Sequence, residues 1–235
     1  MPFKIGILNA DFVRPELVGT YGDYPYMFTE LLKSADPSIE TISYDVMLGK
    51  YPVDIDEVDA FLITGSKFSV YDDEEWIHRL GAFVVKLNDR KKKLLAICFG
   101  HQMVAHFLGG ETAKSEKGWT VGVQRCSVTE DLAGNASAGE SLNLLASHQD
   151  QVTKVANGAV TIAGNEYCPH VMTRLGDHTL TLQWHAEFIK DYFQELLKLR
   201  REIIGEDSFQ AALGSLSLPI DNQKFARWAI DFMRS

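Results

Sequence analysis

The sequence predicts an α/β fold: a mostly parallel central sheet flanked by helices, with a small antiparallel β excursion. Short, near-continuous apolar runs, residues 59–64 foremost (Asp-Ala-Phe-Leu-Ile-Thr), read as strands buried on both faces. They alternate with apolar stripes at helical spacing in the order strand, helix, strand, strand, helix, strand, helix. After Gly109-Gly110 the character changes to short alternating segments separated by Gly, Asn and Asp turns, which predicts the antiparallel part.

Residues 3–8 form the first strand, and a polar loop with Asn9, Asp11 and Arg14-Pro15 follows. A helix within 21–33 places Met27, Phe28, Leu31 and Leu32 on one face. Residues 38–46 alternate as a second strand, and 59–64 is the third, ending in Gly65-Ser66. A helix over about 73–90 carries Trp76, Leu80, Phe83, Val84 and Leu87 as its apolar stripe, with Asp72 to Glu75 as favourable acids at its start. Lys91-Lys92-Lys93 is a solvated turn before the strand Leu94-Leu95-Ala96-Ile97. From His101 a helix begins again, with Met103, Val104, Phe107 and Leu108 at helical spacing. Short strands are read at 112–115, 119–129, 142–147, 160–164, 169–175 and 179–184, and a small-residue surface loop at 133–140. The helical period returns after Glu187 through Phe193, Leu196, Leu197 and Leu199, and a turn over 214–219 precedes a last helix over 221–233. This predicts one domain, 1–235, with a C-terminal helical extension over about 189–235.

Composition narrows the function. The 235 residues are 46% hydrophobic and 23% charged, with a net charge of −9, which argues against a nucleic-acid surface. No apolar run approaches the roughly 20 residues that span a bilayer, and the first residues read as a strand start rather than a signal peptide. Three scattered cysteines, Cys98, Cys126 and Cys168, make neither a disulfide framework nor a zinc cluster, so a cytoplasmic setting is expected.

Cys98 falls in the sharp turn between a strand and a helix. That is the geometry of a nucleophile elbow, which pushes the side chain out of the sheet and aims backbone N–H groups at the reacting atom; the helix N-terminus adds positive potential beside the sulfur. A lone cysteine ending an apolar strand is usually a small buried hydrophobe, so the assignment needs partners. Leu182-Gln183-Trp184-His185-Ala186-Glu187 supplies them: His185 and Glu187 are two apart at a strand end, and alternation lets both project to one face. A thiol attacking an amide needs a base that later protonates the leaving amine, and the base needs an acceptor to fix its tautomer. Cys98, His185 and Glu187 fill those roles in that order. Gly65, ending the neighbouring strand, lets a backbone N–H approach a developing oxyanion and, with the N–H of Phe99, forms the required pair of donors.

Ile97-Cys98-Phe99-Gly100-His101-Gln102, joined to His185-Ala186-Glu187, closely resembles the motifs of the class I (triad-type) glutamine amidotransferases. Ser147-His148-Gln149-Asp150-Gln151-Val152 resembles that family's loop of the form Ser-His-X-Asp-X-Val. Four motifs stand in the family's order from the first strand to Phe188. The resemblance implies a flavodoxin-like fold and assigns Ser66, Gln102, Ser147, His148 and Gln149 to the substrate. It implies cleavage of the γ-glutamyl C–N bond of glutamine through a Cys98 thioester, releasing glutamate and ammonia, with no cofactor and no metal. The alternatives are a γ-glutamyl peptidase acting on larger γ-glutamyl compounds, or a glutaminase subunit active only when docked to a separate synthetase such as a GMP-synthetase-type partner; residues 66–76 resemble stand-alone amidotransferase-like proteins, γ-glutamyl peptidases among them, more than the glutaminase domain of a large synthetase. No acceptor domain is read after Phe188. Three departures stand out: Ala96 and Thr64 occupy positions where the family commonly has glycine, and Ala186 replaces the usual proline. His101 is expected to pack or cap rather than react; His78, His106, His170 and His178 lack paired metal-ligand spacing, and Cys126 and Cys168 are expected to be structural.

Overall fold

The computed structural model describes residues 2–132 and 136–235. Its centre is a nine-stranded sheet in the order β2-β1-β3-β4-β11-β10-β9-β6-β7. The first five are β2 (Glu40–Asp45), β1 (Lys4–Asn9), β3 (Ala60–Ile63), β4 (Lys93–Ile97) and β11 (Thr179–Leu182), and every pairing among them is parallel. The rest, β10 (Met172–Leu175), β9 (Ala159–Gly164), β6 (Thr120–Val128) and β7 (Ser141–His148), continue the same sheet antiparallel. A separate antiparallel pair joins β5 (Glu111–Lys114) to β8 (Asp150–Lys154). Helices flank the sheet: α1 (Pro15–Tyr21), α2 (Tyr24–Ala35), α3 (Glu75–Asp89), α4 (Phe99–Phe107), α5 (Lys190–Ile204), α6 (Glu206–Ser215) and α7 (Asn222–Arg234).

The expected strands and the large helices are present, with their boundaries moved by a few residues. The helix expected within 21–33 is α2, with Asp23 capping it by accepting from the Tyr26 N–H at 2.8 Å; α1, which ends at Gly22 (φ 77°), is a further helix where a polar loop was expected. α6 and β8 carry too little apolar patterning to stand out, since α6 buries only Phe209 and Ala212 and β8 only Val152. Of the loop read over 133–140, residues 133–135 lie outside the described residues, while Ala136 is buried and bridges to Leu132.

Two cores cover the two faces of the sheet's parallel half. Ile5, Ile7, Leu62, Leu95 and Ile97 pack on one face with Phe28 and Leu32 of α2 and with Phe225, Trp228 and Ala229 of α7. Leu8, Phe61, Ile63, Leu94 and Ala96 pack on the other with α3 and α4. This is the alternation that strands buried on both faces require. The other C-terminal helices form a third cluster: Phe193, Leu196 and Leu197 of α5 pack with Phe209 of α6 against Val121, Val123 and Leu145. Gly100 lets α4 sit close on β3, because a Cβ there would lie 2.8 Å from Ile63 Cβ and 2.9 Å from the Ile63 carbonyl oxygen.

The register is what creates a site. Ile63 pairs with Ala96, and Ile97 pairs with Leu182, so β3, β4 and β11 end side by side. The residues that follow them, Gly65, Cys98 and Gln183 to Glu187, emerge at the carboxyl edge of the sheet, where open α/β sheets bind ligands.

Candidate active site

Cys98 stands between β4 and α4 at φ 51°, ψ −99°, one of two non-glycine residues with positive φ among the described residues. Such a backbone costs a non-glycine residue about 1–3 kcal/mol and is held by its surroundings. The Cys98 N–H donates to the Leu182 carbonyl at 2.7 Å, and the Cys98 carbonyl accepts from the Gln102 N–H at 3.1 Å. The side chain is 5% exposed and lines the floor of a crevice. The expected elbow is therefore formed, with Phe99 as the first helical residue, whose N–H has no intrahelical acceptor.

His185 and Glu187 also come together at this edge. The His185 Nδ1–H donates to Glu187 Oε1 at 2.6 Å, with both side chains buried. The ring is stacked on Phe188, centroids 4.1 Å apart and planes within 6°. Its backbone N–H donates to the Leu145 carbonyl at 2.8 Å, tying the segment after β11 to β7. His185, Cys98, Gly65 and Ser66 line one small crevice. Burial by itself would push the His185 imidazole down; the Glu187 carboxylate and then Cys98 overcome it, and His185 is raised to about 10. The arrangement can hold a proton on a buried imidazole beside a sulfur.

Gly65 lies against both groups: a Cβ on it would sit 3.0 Å from His185 Cε1 and 3.5 Å from Cys98 Cβ. Its N–H has no protein acceptor among the described residues. Thr64 is buried, accepts from the Ala10 N–H at 2.9 Å and donates to the Gly65 carbonyl at 3.1 Å. The crevice above Cys98 has a volume of about 450 Å³ and includes Ser66, Gln102, Ser147, His148 and Gln149 in its lining. All five residues assigned to the substrate from the sequence thus share one wall system. Their side chains differ in availability. The Gln102 amide already donates to the Asp150 carbonyl at 2.9 Å and to Gln183 Oε1 at 3.2 Å. The His148 Nδ1–H donates to the Asp150 carbonyl at 2.9 Å; burial pushes this ring down to about 4, so it is neutral at ordinary pH. Ser147 Oγ accepts from Arg200 Nη1 at 2.7 Å.

Two residues here escaped the sequence reading. Gln183 Nε2 lies 3.7 Å from Cys98 Sγ, as a donor to the sulfur. Its position two before His185 on an alternating strand end was the signal available. Arg200, from α5, reaches the crevice and with Arg14, Lys67 and Lys114 makes its wall basic, against Asp150 as the one acid among the described lining residues. No local pattern announces Arg200, because its approach to β7 is tertiary.

The residues set aside behave as structural groups. His101 is buried, shares a 2.6 Å hydrogen bond with Thr181 Oγ1, and is pushed down to about 3 by burial. His170 and His178 bond Thr161 and Asn88, and His78 meets Asp73 at the surface. Cys126 and Cys168 are free thiols pushed up to about 12 by burial. Among the described residues there is no His/Cys/Asp/Glu group able to hold a metal ion, and no helix long and apolar enough to cross a membrane.

Comparison with known proteins bears on this geometry. The chain is 31% identical over 197 residues to Gamma-glutamyl peptidase 3 of Arabidopsis thaliana, covering 80% of this chain and 77% of that protein. It is 32% identical over 248 residues to a glutamine amidotransferase-like protein of Schizosaccharomyces pombe, covering 99% of each. A crystal structure of a glutamine amidotransferase from Thermotoga maritima superimposes with a TM-score of 0.76 at 13% identity, covering 100% of this chain and 97% of that one, and shares the flavodoxin-like fold. The family model "Glutamine amidotransferase class-I" matches residues 21–200, which include the elbow, the strand-end histidine and the Ser147 loop. The chain belongs to the class I glutamine amidotransferase family.

Proposed function

We propose that this protein hydrolyses a γ-glutamyl C–N bond through a thioester on Cys98. The observation that carries the reading is the His185–Glu187 hydrogen bond of 2.6 Å, buried beside a cysteine held at positive φ. In this mechanism the Cys98 proton already rests on His185, and the sulfur attacks the γ-carbonyl carbon as a thiolate. The oxygen of the tetrahedral intermediate becomes an oxyanion facing the N–H groups of Gly65 and Phe99. His185 then gives its proton to the leaving amine, the C–N bond breaks, and a thioester remains. Water, deprotonated by His185, attacks the thioester; glutamate leaves and the proton stays on His185 beside the freed sulfur. Glu187 holds the imidazole in the tautomer whose Nε2 serves the reaction and stabilises the imidazolium.

The leaving group divides this reading. Ammonia from glutamine is the simplest case. A larger amine, as in a γ-glutamyl peptide, is favoured by the crevice: about 450 Å³ leaves room beyond a glutamyl group, and Arg14, Lys114 and Arg200 suit a substrate with more than one carboxylate. The match to a protein named gamma-glutamyl peptidase supports the same choice.

The test is alkylation by 6-diazo-5-oxonorleucine followed by peptide mapping, with glutamine and γ-glutamyl dipeptides as protectants and as substrates. A single adduct on Cys98, blocked by the better substrate, together with loss of hydrolysis in a folded Cys98→Ser variant, is the expected result. Hydrolysis that survives Cys98→Ser would eliminate the thioester mechanism.

A further inference from the structure

Gln183 is 0% exposed and stands one residue past β11, two before His185. A carboxamide taken this far from water costs free energy unless its polar atoms are hydrogen-bonded. Its Oε1 accepts from Gln102 Nε2 at 3.2 Å, and its Nε2 donates toward Cys98 Sγ at 3.7 Å. Among the described residues that sulfur is the only acceptor Nε2 meets.

The direction of this amide is fixed from outside. The Asp150 carbonyl can only accept, and it takes Gln102 Nε2 at 2.9 Å together with the His148 Nδ1–H at 2.9 Å. Gln102 therefore presents an N–H, not its oxygen, to Gln183, which turns the Gln183 oxygen toward Gln102 and its nitrogen toward the sulfur. An amide whose oxygen already accepts is the stronger donor. The backbone holds the same pieces in register: the Gln183 N–H donates to the Val171 carbonyl at 2.8 Å, and the carbonyl just before it, of Leu182, accepts from the Cys98 N–H at 2.7 Å.

A neutral thiol is a weak acceptor, whereas hydrogen bonds to an ionised acceptor are roughly twice as strong as neutral ones. A buried amide aimed at Cys98 thus favours the anionic sulfur over the thiol. We propose that Gln183 is a catalytic residue: its side-chain N–H holds the negative charge of the Cys98 sulfur before attack and again when the sulfur leaves the glutamyl group, with Gln102 as the positioning residue that aims it. The proposal rests on Cys98 as the nucleophile. The imidazole of His185 then carries the proton that moves, and the amide is a donor that keeps its own.

Other charged or titratable groups face the same sulfur. Tyr24 and His185 share its inner crevice, with Glu187 behind the imidazole, and Cys168 is close enough to feel its charge. His148, Asp150 and the cations Arg14, Lys67, Lys114 and Arg200 line the larger crevice. None of them is altered when the amides alone are changed, so a difference between variants belongs to the amides.

The experiment is the pH profile of Cys98 alkylation by iodoacetamide, with no γ-glutamyl compound present, in the wild-type protein, Gln183→Met, Gln102→Met and the double variant. Adducts are located by peptide mapping; Cys126 and Cys168, pushed up to about 12 by burial, stay protonated well below that. Methionine keeps the length of the side chain and removes its amide, and urea unfolding shows that each variant is folded. In Gln183→Met the acidic limb of the profile is expected to move up by about one pH unit, a tenfold change, the low end of what a hydrogen bond to a charged group supplies. Gln102→Met is expected to move it in the same direction by less, about two- to threefold, and the double variant no further than Gln183→Met, because Gln102 acts through Gln183. An unmoved limb in folded Gln183→Met, even one destabilised in urea, overturns the proposal, and additive shifts in the double variant overturn the part given to Gln102. If Gln183→Met fails to fold, Gln102→Met carries the decision, and an unmoved limb there overturns the proposal. Alkylation needs no turnover, so a protein that hydrolyses no γ-glutamyl substrate refutes the proposed function while this profile still decides the role of Gln183.

Discussion

Gly65→Ala is the most informative single perturbation of the site. Gly65 is not among the glycines with positive φ, so alanine brings no backbone strain, only a methyl group. That methyl would sit 3.0 Å from His185 Cε1, closer than carbon atoms in ordinary contact, and 3.5 Å from Cys98 Cβ, which is ordinary contact. The imidazole must therefore give by a few tenths of an ångström while the cysteine stays in place. Its freedom to retreat is small, because Nδ1 is held at 2.6 Å by Glu187 and its face is stacked on Phe188 at 4.1 Å. Misplacement of a reacting group by about 1 Å costs on the order of 10²-fold, so a shift of this size is expected to lower kcat/KM by about tenfold, or ~1.4 kcal/mol of transition-state stabilisation. Overpacking at a site bordering an open crevice is expected to cost about 1 kcal/mol of stability or less. Steady-state hydrolysis of a γ-glutamyl substrate and urea unfolding, measured on the same preparation, separate the two. Wild-type kcat/KM in Gly65→Ala would refute the placement of His185 against Gly65, and a loss matched by unfolding would refute the claim that the effect is positional.

The remaining predictions concern charge. His185 is raised to about 10 from an ordinary value near 6.5, so its ionisation adds stability that is fully present below about 6.5 and is lost as pH rises through about 10. Glu187→Gln removes the largest influence that raises it and should flatten the slope of unfolding free energy across that window while lowering kcat by about 10²-fold or more; identical slopes in urea titrations of the two proteins would rule the coupling out. Arg200→Ala should raise KM by roughly ten- to a hundredfold, the equivalent of a charge-assisted hydrogen bond of about 1.5–3 kcal/mol, with kcat little changed. Arg200→Lys should recover part of that loss, and an unaltered KM would remove Arg200 from substrate recognition.

The parts of the site that were legible in the sequence are those carried by one stretch of chain. A strand that runs into Cys98 and then a helix, and a histidine two residues before a glutamate, are local patterns, and the parallel sheet supplies their meeting at one edge. Gln183 was legible by the same alternation and was passed over, because an amide has no obvious part in thiol chemistry. Arg200 was not legible: on α5 it is one of several cations in Lys198-Leu199-Arg200-Arg201, and only the packing of α5 against β7 makes it the one that meets Ser147. The same holds for the fold. Strands such as Ala60–Ile63, buried at every position, announce themselves, whereas α1 buries one residue, Leu17, and depends on tertiary contacts to be a helix at all.

Thr64 shows how such a site can be held by a side chain that never meets substrate. A peptide unit is a rigid plane, so a hydroxyl that grips the Gly65 carbonyl also sets the direction of the Ser66 N–H on the opposite edge of that plane. The same hydroxyl anchors the plane to the end of β1 through Ala10. Where a second glycine would leave this corner free to turn and adapt to whatever ligand arrives, threonine fixes one orientation before any ligand is present. The ordering entropy is then met during folding rather than at each binding event, and selectivity at this corner becomes a matter of which carbonyl fits a donor set already in place.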